Sequence, residues 1–342
     1  MSSRGAGPSD LVTVSRWSRT ASASTGACAL AVAFLAALPY LIGGPAEQPL
    51  ITLLTFVAMA SLWNLLAGFS GLTSFGQQAY IGVGAYSLYL VATHGVSPFA
   101  GVLLAALGAA VVSLPVSALV LRLSGGYFAV ATLVVAAVFQ IVATLSPSVG
   151  GTTGVSLPGL AGYGDLLREA LTYWVTLAVA IVSVAGVYLL VRRPFGLDTR
   201  AASSDPVAAA SNGVRVGRIR LLAYVLAAAG TGAVGALVAL QTLYVEPTSV
   251  FNVQYSVDML FMVLVGGIGT IEGPIIGALV LFALQESLSA DGAWYLVIVG
   301  GLAVATTLVA PRGIWGLVSE RLGLSLLPIG YRVRGQDGPA QL

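Results

Sequence analysis

A short run of uncharged polar side chains stands between residues 74 and 80, at the start of an apolar stretch. Its members are Ser74, Gly76, Gln77, Gln78 and Tyr80. Hydroxyl and amide groups form hydrogen bonds but are poor acids and bases at neutral pH, so this set suits the passage of a polar solute better than catalysis. Asn64 and Gln140 are predicted to contribute from neighbouring helices. Hydrogen bonding between helices is the alternative role for each of these side chains.

The sequence holds no arrangement that predicts an enzyme or a metal site. It contains no lysine, so a GxxxxGK[ST] phosphate-binding loop is absent, and energy must come from a partner or a gradient. The single histidine, His94, has no Cys or carboxylate cluster beside it. Gradient-driven transport predicts carboxylates at mid-membrane, whereas Asp258, Glu272 and Glu286 lie near segment ends. Glu272 is expected to favour the start of a helix.

The composition identifies the class of protein. Of 342 residues, 57% are hydrophobic and 8% are charged, with a mean hydropathy of +0.94. A soluble chain carries about 25% charged residues, so this chain is predicted to lie in a membrane. The net charge of +2 gives no sign of nucleic-acid binding. A lone cysteine, Cys28, forms no intrachain disulfide.

Apolar runs recur along the chain at lengths close to the ~20 residues that a membrane helix needs. They cover residues 27–42, 50–67, 75–93, 98–121, 127–145, 172–191, 219–244, 257–265, 274–288 and 294–310. We therefore predict an all-α polytopic transmembrane helical bundle of about ten spans, within a range of eight to twelve. The membrane domain is assigned to residues 25–312, between cytoplasmic tails at 1–24 and 313–342.

The arginines predict the orientation, because cytoplasmic loops are enriched in basic residues. An inside amino terminus places Arg122 and the loop at 192–220, with its six arginines, on the cytoplasmic side. The arginines of the carboxyl tail are also inside if GGIGTIEG, residues 266–273, separates two short membrane passes. Both termini are therefore predicted to be cytoplasmic.

Two segments interrupt the apolar pattern with glycine. Residues 68–90 and 266–286 each place a glycine-rich, partly polar stretch directly before an apolar run, and the second contains Gly266, Gly267 and Gly269. Irregular backbone inside a membrane is tolerated only where protein or a water-filled cavity satisfies it. Interrupted helices in corresponding halves of a transporter indicate the solute path. Close packing of helices through small residues is the alternative, and the two are compatible.

The loop at 192–220 carries a predicted short helix. Asp205 is a suitable amino-terminal cap, Pro206 occupies the first helical position, residues 207–211 form the body, and Asn212 with Gly213 ends it. A capped helix between two membrane spans has the right form to enter a groove of a partner protein. The alternative is a solvated basic loop that only fixes orientation.

Seven passages carry a resemblance to a known family. They are GLTSFGQQAYIGVGAY (71–86), GGYFAVATL (125–133), GGTTGV (150–155), PFG (194–196), LLAYVLAAAGTGAVGAL (221–237), GGIGTIEGPIIGA (266–278) and APRGIWGL (310–317). Together they resemble the permeases of the high-affinity branched-chain amino acid (LIV) ABC importers, from about residue 50 to 316. Each motif is weak by itself, but their order and spacing are specific.

The resemblance implies an importer subunit in the cytoplasmic (inner) membrane. It implies a homologous second permease, two cytoplasmic ATP-binding subunits and an external solute-binding protein, with ATP on the partners and no cofactor in this chain. The loop after PFG looks like the element that docks on the ATPase, which assigns that role to Arg200, Asp205, Pro206, Ala208, Ala209 and Gly213. The chain departs from the family at residues 203–206, where Ser-Ser-Asp-Pro replaces a second Arg, an acidic residue and Asn.

Other functions remain open at this point. An ATPase-independent carrier or channel for a small polar solute is the main alternative, and a membrane scaffold without transport is the next. Permeases resembling this one are also associated with urea, short amides and aromatic acids, so the substrate is expected to be a branched-chain amino acid or a related small polar solute.

Overall fold

The structure is a computed structural model, and it describes residues 13–15, 33–37, 47–160, 162–288, 293–310, 312–322 and 332–334. Fourteen helices lie in those ranges. They are α1 (33–37), α2 (Glu47–Asn64), α3 (Gln78–Thr93), α4 (Pro98–Val120), α5 (Gly126–Leu145), α6 (Asp165–Arg192), α7 (Pro194–Ser204), α8 (Pro206–Ser211), α9 (Val216–Thr242), α10 (Pro247–Val250), α11 (Gln254–Gly266), α12 (Glu272–Leu288), α13 (Ala293–Val309) and α14 (Gly313–Leu322). The predicted all-α class is confirmed.

Strands are short in the described residues. β1 (Thr13–Ser15) pairs antiparallel with β4 (Arg332–Arg334), so segments of the two tails lie side by side. β2 (Val155–Ser156) pairs antiparallel with β3 (Tyr244–Val245) and joins the loop after α5 to the end of α9. Neither pair builds a sheet, and the packing of the molecule is set by its helices.

Several helices are long and apolar enough to cross a membrane. Six qualify within the described residues, and a pair of helices near the carboxyl end, bent by 41°, counts as a seventh if the two form one span. The six are Gln48–Phe69, Pro98–Val120, Gly126–Leu145, Asp165–Arg192, Val216–Thr242 and Pro247–Gly266. The predicted run at 27–42 lies mostly outside the described residues, while α3 and α12 have 16 and 17 residues. The chain is a multi-pass helical membrane protein, and the count of ten stays a prediction.

The centre of the bundle is formed by α2 and α9. α9 packs against α3, α4 and α2, while α2 also packs against α6, α11 and α12. In α4 and α5, by contrast, less than a third of the residues in the most apolar 18-residue stretch are buried. Leu103, Leu107 and Val111 form an exposed stripe on α4 at the spacing of a helix face. The outer helices thus present apolar side chains to lipid, and the core lies around α2 and α9.

The chain reverses direction between α11 and α12. A Cβ atom added at Gly277 would lie 2.9 Å from Cα of Met262, and one added at Gly266 would lie 2.8 Å from N of Gly277. The close partners of Gly266 also include Gly273, so the contacts run antiparallel along the two helices. The GGIGTIEG stretch therefore joins two antiparallel helices. Passage of both helices across the membrane stays a prediction.

Candidate functional site

The first glycine-rich segment begins where α2 ends. The last turn of this span, Leu65–Phe69, is π-helical, and residues 70–77 then run without regular structure to the start of α3. The Trp63 indole donates a hydrogen bond to the Ser74 carbonyl (2.8 Å), although these residues are eleven positions apart. The segment therefore folds back beside the end of α2, so α3 begins at the depth of Trp63 instead of at the end of the span.

Two predicted path residues serve the packing of this segment. Gln77 is fully buried, donates to the Ser74 hydroxyl (3.4 Å) and accepts from the Thr231 hydroxyl of α9 (3.2 Å). Gly76 packs against Thr132 of α5, whose hydroxyl accepts a hydrogen bond from the Phe75 amide. These contacts match the alternative role of hydrogen bonding between helices.

Tyr80 also bonds another helix. Its hydroxyl donates to the hydroxyl of Tyr224 on α9 (3.0 Å), and the two rings meet edge to face with centroids 5.8 Å apart. Both side chains are about 99% buried. Tyr80 consequently fixes α3 against α9.

Gln78 and Gln140 lie on one polar cavity. Its volume is about 340 Å³, and α3, α5, α10 and the α10–α11 connection form its walls. The lining residues are Gln78, Leu133, Ala137, Gln140, Thr248, Phe251, Asn252 and Val253. The Gln78 amide oxygen accepts a hydrogen bond from the Ser256 hydroxyl, which fixes that side chain at the inner wall. The lining offers amides, a hydroxyl and apolar surface without a charged side chain.

The second glycine-rich segment closes a tight turn. α11 ends at Gly266, and Gly267 and Gly269 have φ of 135° and 75°, a backbone region that favours glycine. The Thr270 hydroxyl donates to the Gly267 carbonyl (2.8 Å) and accepts from the Gly273 amide (3.0 Å). The turn thus satisfies part of its own backbone before α12 begins at Glu272, the predicted helix start.

Asn64 joins the two segments. Its side chain accepts a hydrogen bond from the Gly269 amide (2.9 Å) and donates one to the Thr270 carbonyl (2.7 Å). Asn64 is 1% exposed, so these two backbone groups have their polar partner inside the bundle. The predicted residues therefore divide among three places: the cavity, the contact between the glycine segments, and the interface of α3 with α9 and α5.

The predicted short helix in the loop at 192–220 is confirmed as α8. The Asp205 carboxylate accepts hydrogen bonds from the amides of Val207 (2.9 Å) and Ala208 (3.0 Å), and Pro206 is the first helical residue. Gly213 follows the helix with φ of 87°. Val207 and Ala208 are exposed, whereas Ala209 is buried. α8 therefore presents a small face to solvent.

The loop also contains α7, a helix that the sequence did not predict. α7 begins at Pro194, within the PFG motif, and both α7 and α8 are capped at Asp205. The Arg200 guanidinium lies 5.7 Å from the ring centroid of Phe69, and partial desolvation lowers the pKa of Arg200. A Cβ atom added at Gly71 would lie 3.2 Å from Cβ of Ser203. α7 thus packs on the first glycine segment.

Several residues of the site were missed in the sequence. Trp63, Thr231, Ser256 and Thr270 supply hydrogen bonds to the predicted residues, and Asn252 lines the cavity. Ser256 and Asn252 stand just before an apolar run, as Gln77 and Gln78 do, and that position was the available signal. Thr231 carries no such signal, since it lies within a continuous apolar helix.

A bundle of long apolar helices with interrupted segments and an uncharged polar cavity defines a multi-pass membrane protein of the transport class. Residues 46–307 match the family described as branched-chain amino acid transport system, permease component. The chain belongs to this family, whose members are permease subunits of ABC importers and not enzymes. Such permeases work in the membrane with ATPase and solute-binding partners.

Individual relatives agree with this family. The chain is 27% identical over 321 residues to the high-affinity branched-chain amino acid transport system permease protein LivM of Escherichia coli, covering 84% of this chain and 74% of the relative. It is 31% identical over 160 residues to the probable branched-chain amino acid transport permease protein LivH of Methanocaldococcus jannaschii, covering 44% and 50%. The ribose import permease protein RbsC of Bacillus subtilis is 28% identical over 132 residues, covering 36% and 40%. No solved structure matches the chain.

Proposed function

We propose that this chain imports branched-chain amino acids, or a related small polar solute, across the cytoplasmic membrane with ATP hydrolysed on partner subunits. The LivM and LivH relatives support the substrate by their names. The observation that carries the proposal is α8, a capped, exposed helix between two membrane helices. A gradient-driven carrier needs no such element, whereas an ATP-driven permease needs a contact with its motor.

The docking contact is assigned to the exposed face of α8. Val207 is 77% exposed and Ala208 lies beside it, so a partner groove can cover small apolar surface there. Asp205, Pro206 and Gly213 fix the ends of the helix, and Arg200 fixes α7 below it. Docking through apolar fit is consistent with the altered residues at 203–206, where the family has more charge.

The solute path is assigned to the cavity lined by Gln78 and Gln140. Amides and a hydroxyl bind the polar groups of a zwitterion, while Leu133, Ala137 and Phe251 offer apolar contact to a short side chain. The cavity has room for a solute of this size, and its uncharged walls favour a solute without net charge. Urea, short amides and aromatic acids remain the alternative substrates.

The proposed complex contains this chain, a homologous second permease, two cytoplasmic ATP-binding subunits and an extracytoplasmic binding protein. Membrane lipid covers the outer helices, and no nucleic acid takes part. The membrane domain is placed at 25–312 with cytoplasmic tails at 1–24 and 313–342. Pairing of β1 with β4 supports tails on one side of the membrane, and the arginines of the α7–α8 loop support the cytoplasmic side.

The test is uptake of radiolabelled leucine, valine and urea by proteoliposomes that contain the whole complex. We expect uptake of leucine or valine to require ATP on the side of the membrane where α8 lies. Uptake should stop in Ala208→Trp, because the new side chain covers the exposed face of α8. Ser148→Trp, in an exposed turn after α5, is the matched control and should leave uptake within twofold. Uptake that continues after ATP depletion and follows a proton gradient would instead identify a carrier.

A further inference from the structure

Asn64, near the end of α2, hydrogen bonds to backbone groups of the second glycine segment, which lies between the neighbouring helices α11 and α12. It does so at both ends of its amide, at Gly269 and Thr270, which lie 205 and 206 positions away in the sequence. A side-chain amide with both ends engaged has one orientation and cannot slide along the turn. The contact therefore fixes the register between α2 and the α11–α12 turn.

The backbone on both sides of this contact is irregular. A π-helical turn follows Asn64 directly, and such turns inside helices are frequent at functional sites. On the other side, Gly269 has φ of 75°. A Cβ atom added at Gly68 would lie 2.6 Å from the Gly269 nitrogen, so the two glycine segments touch through their backbones. Leu65 and Phe69 of the π-helical turn pack with Ile271 in one buried apolar cluster, and the hydrogen bonds of Asn64 are the polar contact beside it.

The same end of α2 is in contact with the α7–α8 loop. Ser203 of α7 packs on Gly71, and Arg200 lies over Phe69 in the π-helical turn. α7 and α8 share Asp205, whose amide donates to the Ala201 carbonyl (3.1 Å) while its carboxylate caps α8. α7 therefore connects α8 to the residues that follow Asn64.

We propose that Asn64 is a latch that holds the two glycine segments together at the α7 end of the bundle, and that α7 opens it when α8 is moved by a docked ATPase. The closed latch blocks solute at this end of the path, and its opening joins the path to the cytoplasm. The inference rests on the proposed function for the identity of the motor. The latch itself rests on the contacts of Asn64, which can be tested separately.

The first experiment measures hydrogen exchange of the backbone amides in the whole complex. Asn64→Ala is expected to speed exchange at residues 266–271 at least tenfold, because the Gly269 amide loses its acceptor. Thr55→Val is the matched control on the same helix, since it removes the hydrogen bond that Gln241 donates to Thr55 (3.2 Å) and leaves the turn untouched. Unchanged exchange at 266–271 in Asn64→Ala would overturn the latch.

The second experiment measures passive efflux of preloaded radiolabelled leucine and urea from proteoliposomes without ATP. Asn64→Ala is expected to leak at least fivefold faster than wild type and Thr55→Val, while keeping wild-type ATP hydrolysis. Faster exchange without a leak would assign Asn64 a merely structural role and overturn the proposal. If the wild-type complex takes up neither solute with ATP, the proposed function fails, and the exchange measurement still decides the latch.

The third experiment tests the link through α7. Ser203→Trp places bulk against Gly71 and is expected to lower leucine uptake at least fivefold while ATP hydrolysis continues, because the motor is then uncoupled from the latch. Leu197→Trp is the control, at an exposed position of the same helix. Equal uptake in both variants would overturn the role of α7.

Discussion

The two glycine-rich segments differ in what supports them. The first, residues 70–77, takes hydrogen bonds from Trp63 of α2 and reaches Thr132 of α5. The second, residues 267–271, bonds to itself through Thr270, takes hydrogen bonds from outside at Asn64, and lies against Arg312 and Gly313. A segment held by several helices changes when those helices move, whereas a self-bonded turn moves as a unit. The first segment is therefore suited to respond to α7, and the second to keep its shape while the first responds.

The helices that follow the two segments share one feature, and this gives the largest expected effect. A Cβ atom at Gly84 would lie 2.7 Å from Cα of Gly232, and one at Gly277 would lie 2.9 Å from Cα of Met262. Both neighbours are backbone, so Gly84→Ala and Gly277→Ala should each destabilise the protein by about 3 kcal/mol. Thermal unfolding in detergent measures the loss.

Gly186→Ala is the control for both variants, because no atom lies within 4 Å of a Cβ added there. It should be neutral or stabilise α6 by up to about 1 kcal/mol, since alanine is the better helix former. If only one of Gly84→Ala and Gly277→Ala loses stability, the helices α3 and α12 do not depend on close glycine packing in the same way.

The packing glycines show what the sequence predicted and what it did not. The sequence predicts a solute path or close packing as the role of its glycines, and the structure separates Gly84, which packs on α9, from Gly269, which forms a turn. α8 and its Asp205 cap were predictable because a cap involves residues three positions apart. The contact of Asn64 with Gly269 was not, because it joins residues 205 apart in the sequence.

Hydropathy explains the remaining differences. It predicts that a stretch enters the membrane but not where its helix begins, so the predicted run at 75–93 includes residues 75–77, which belong to the irregular segment before α3. α7 was missed because its sequence is polar and lies in a loop, where no apolar period marks a helix. Gln78 and Gln140 line a cavity, and their role in a solute path stays a prediction, while Gln77 and Tyr80 bond other helices.

Trp63→Phe tests the outside support of the first segment. The change removes the donor to the Ser74 carbonyl and leaves that carbonyl buried without its partner, at an expected cost of about 2 kcal/mol. Hydrogen exchange should rise at residues 70–77 and stay unchanged at 267–271. A rise in both segments would show that they are not supported independently.

Thr270→Val tests the self-bonded turn with little change in volume. It removes the hydroxyl that bridges Gly267 and Gly273, and the expected cost is about 1 kcal/mol because nearby backbone can compensate in part. Exchange should rise at 267–273 and not at 70–77. This pattern of exchange is the opposite of the one expected for Trp63→Phe. Thr270→Ser keeps the hydroxyl and should therefore exchange as slowly as wild type at 267–273.

The smallest expected effect concerns the pair of tyrosines that holds α3 after its irregular start. Tyr80→Phe removes one hydroxyl of the bond to Tyr224, and hydrogen bonds between membrane helices contribute about 0.6 kcal/mol on average. Tyr224→Phe should cost a similar amount, and the double variant should cost less than the two together, because both changes break the same bond. Unfolding of the three variants and wild type measures this coupling. Additive losses would show that the two hydroxyls act separately.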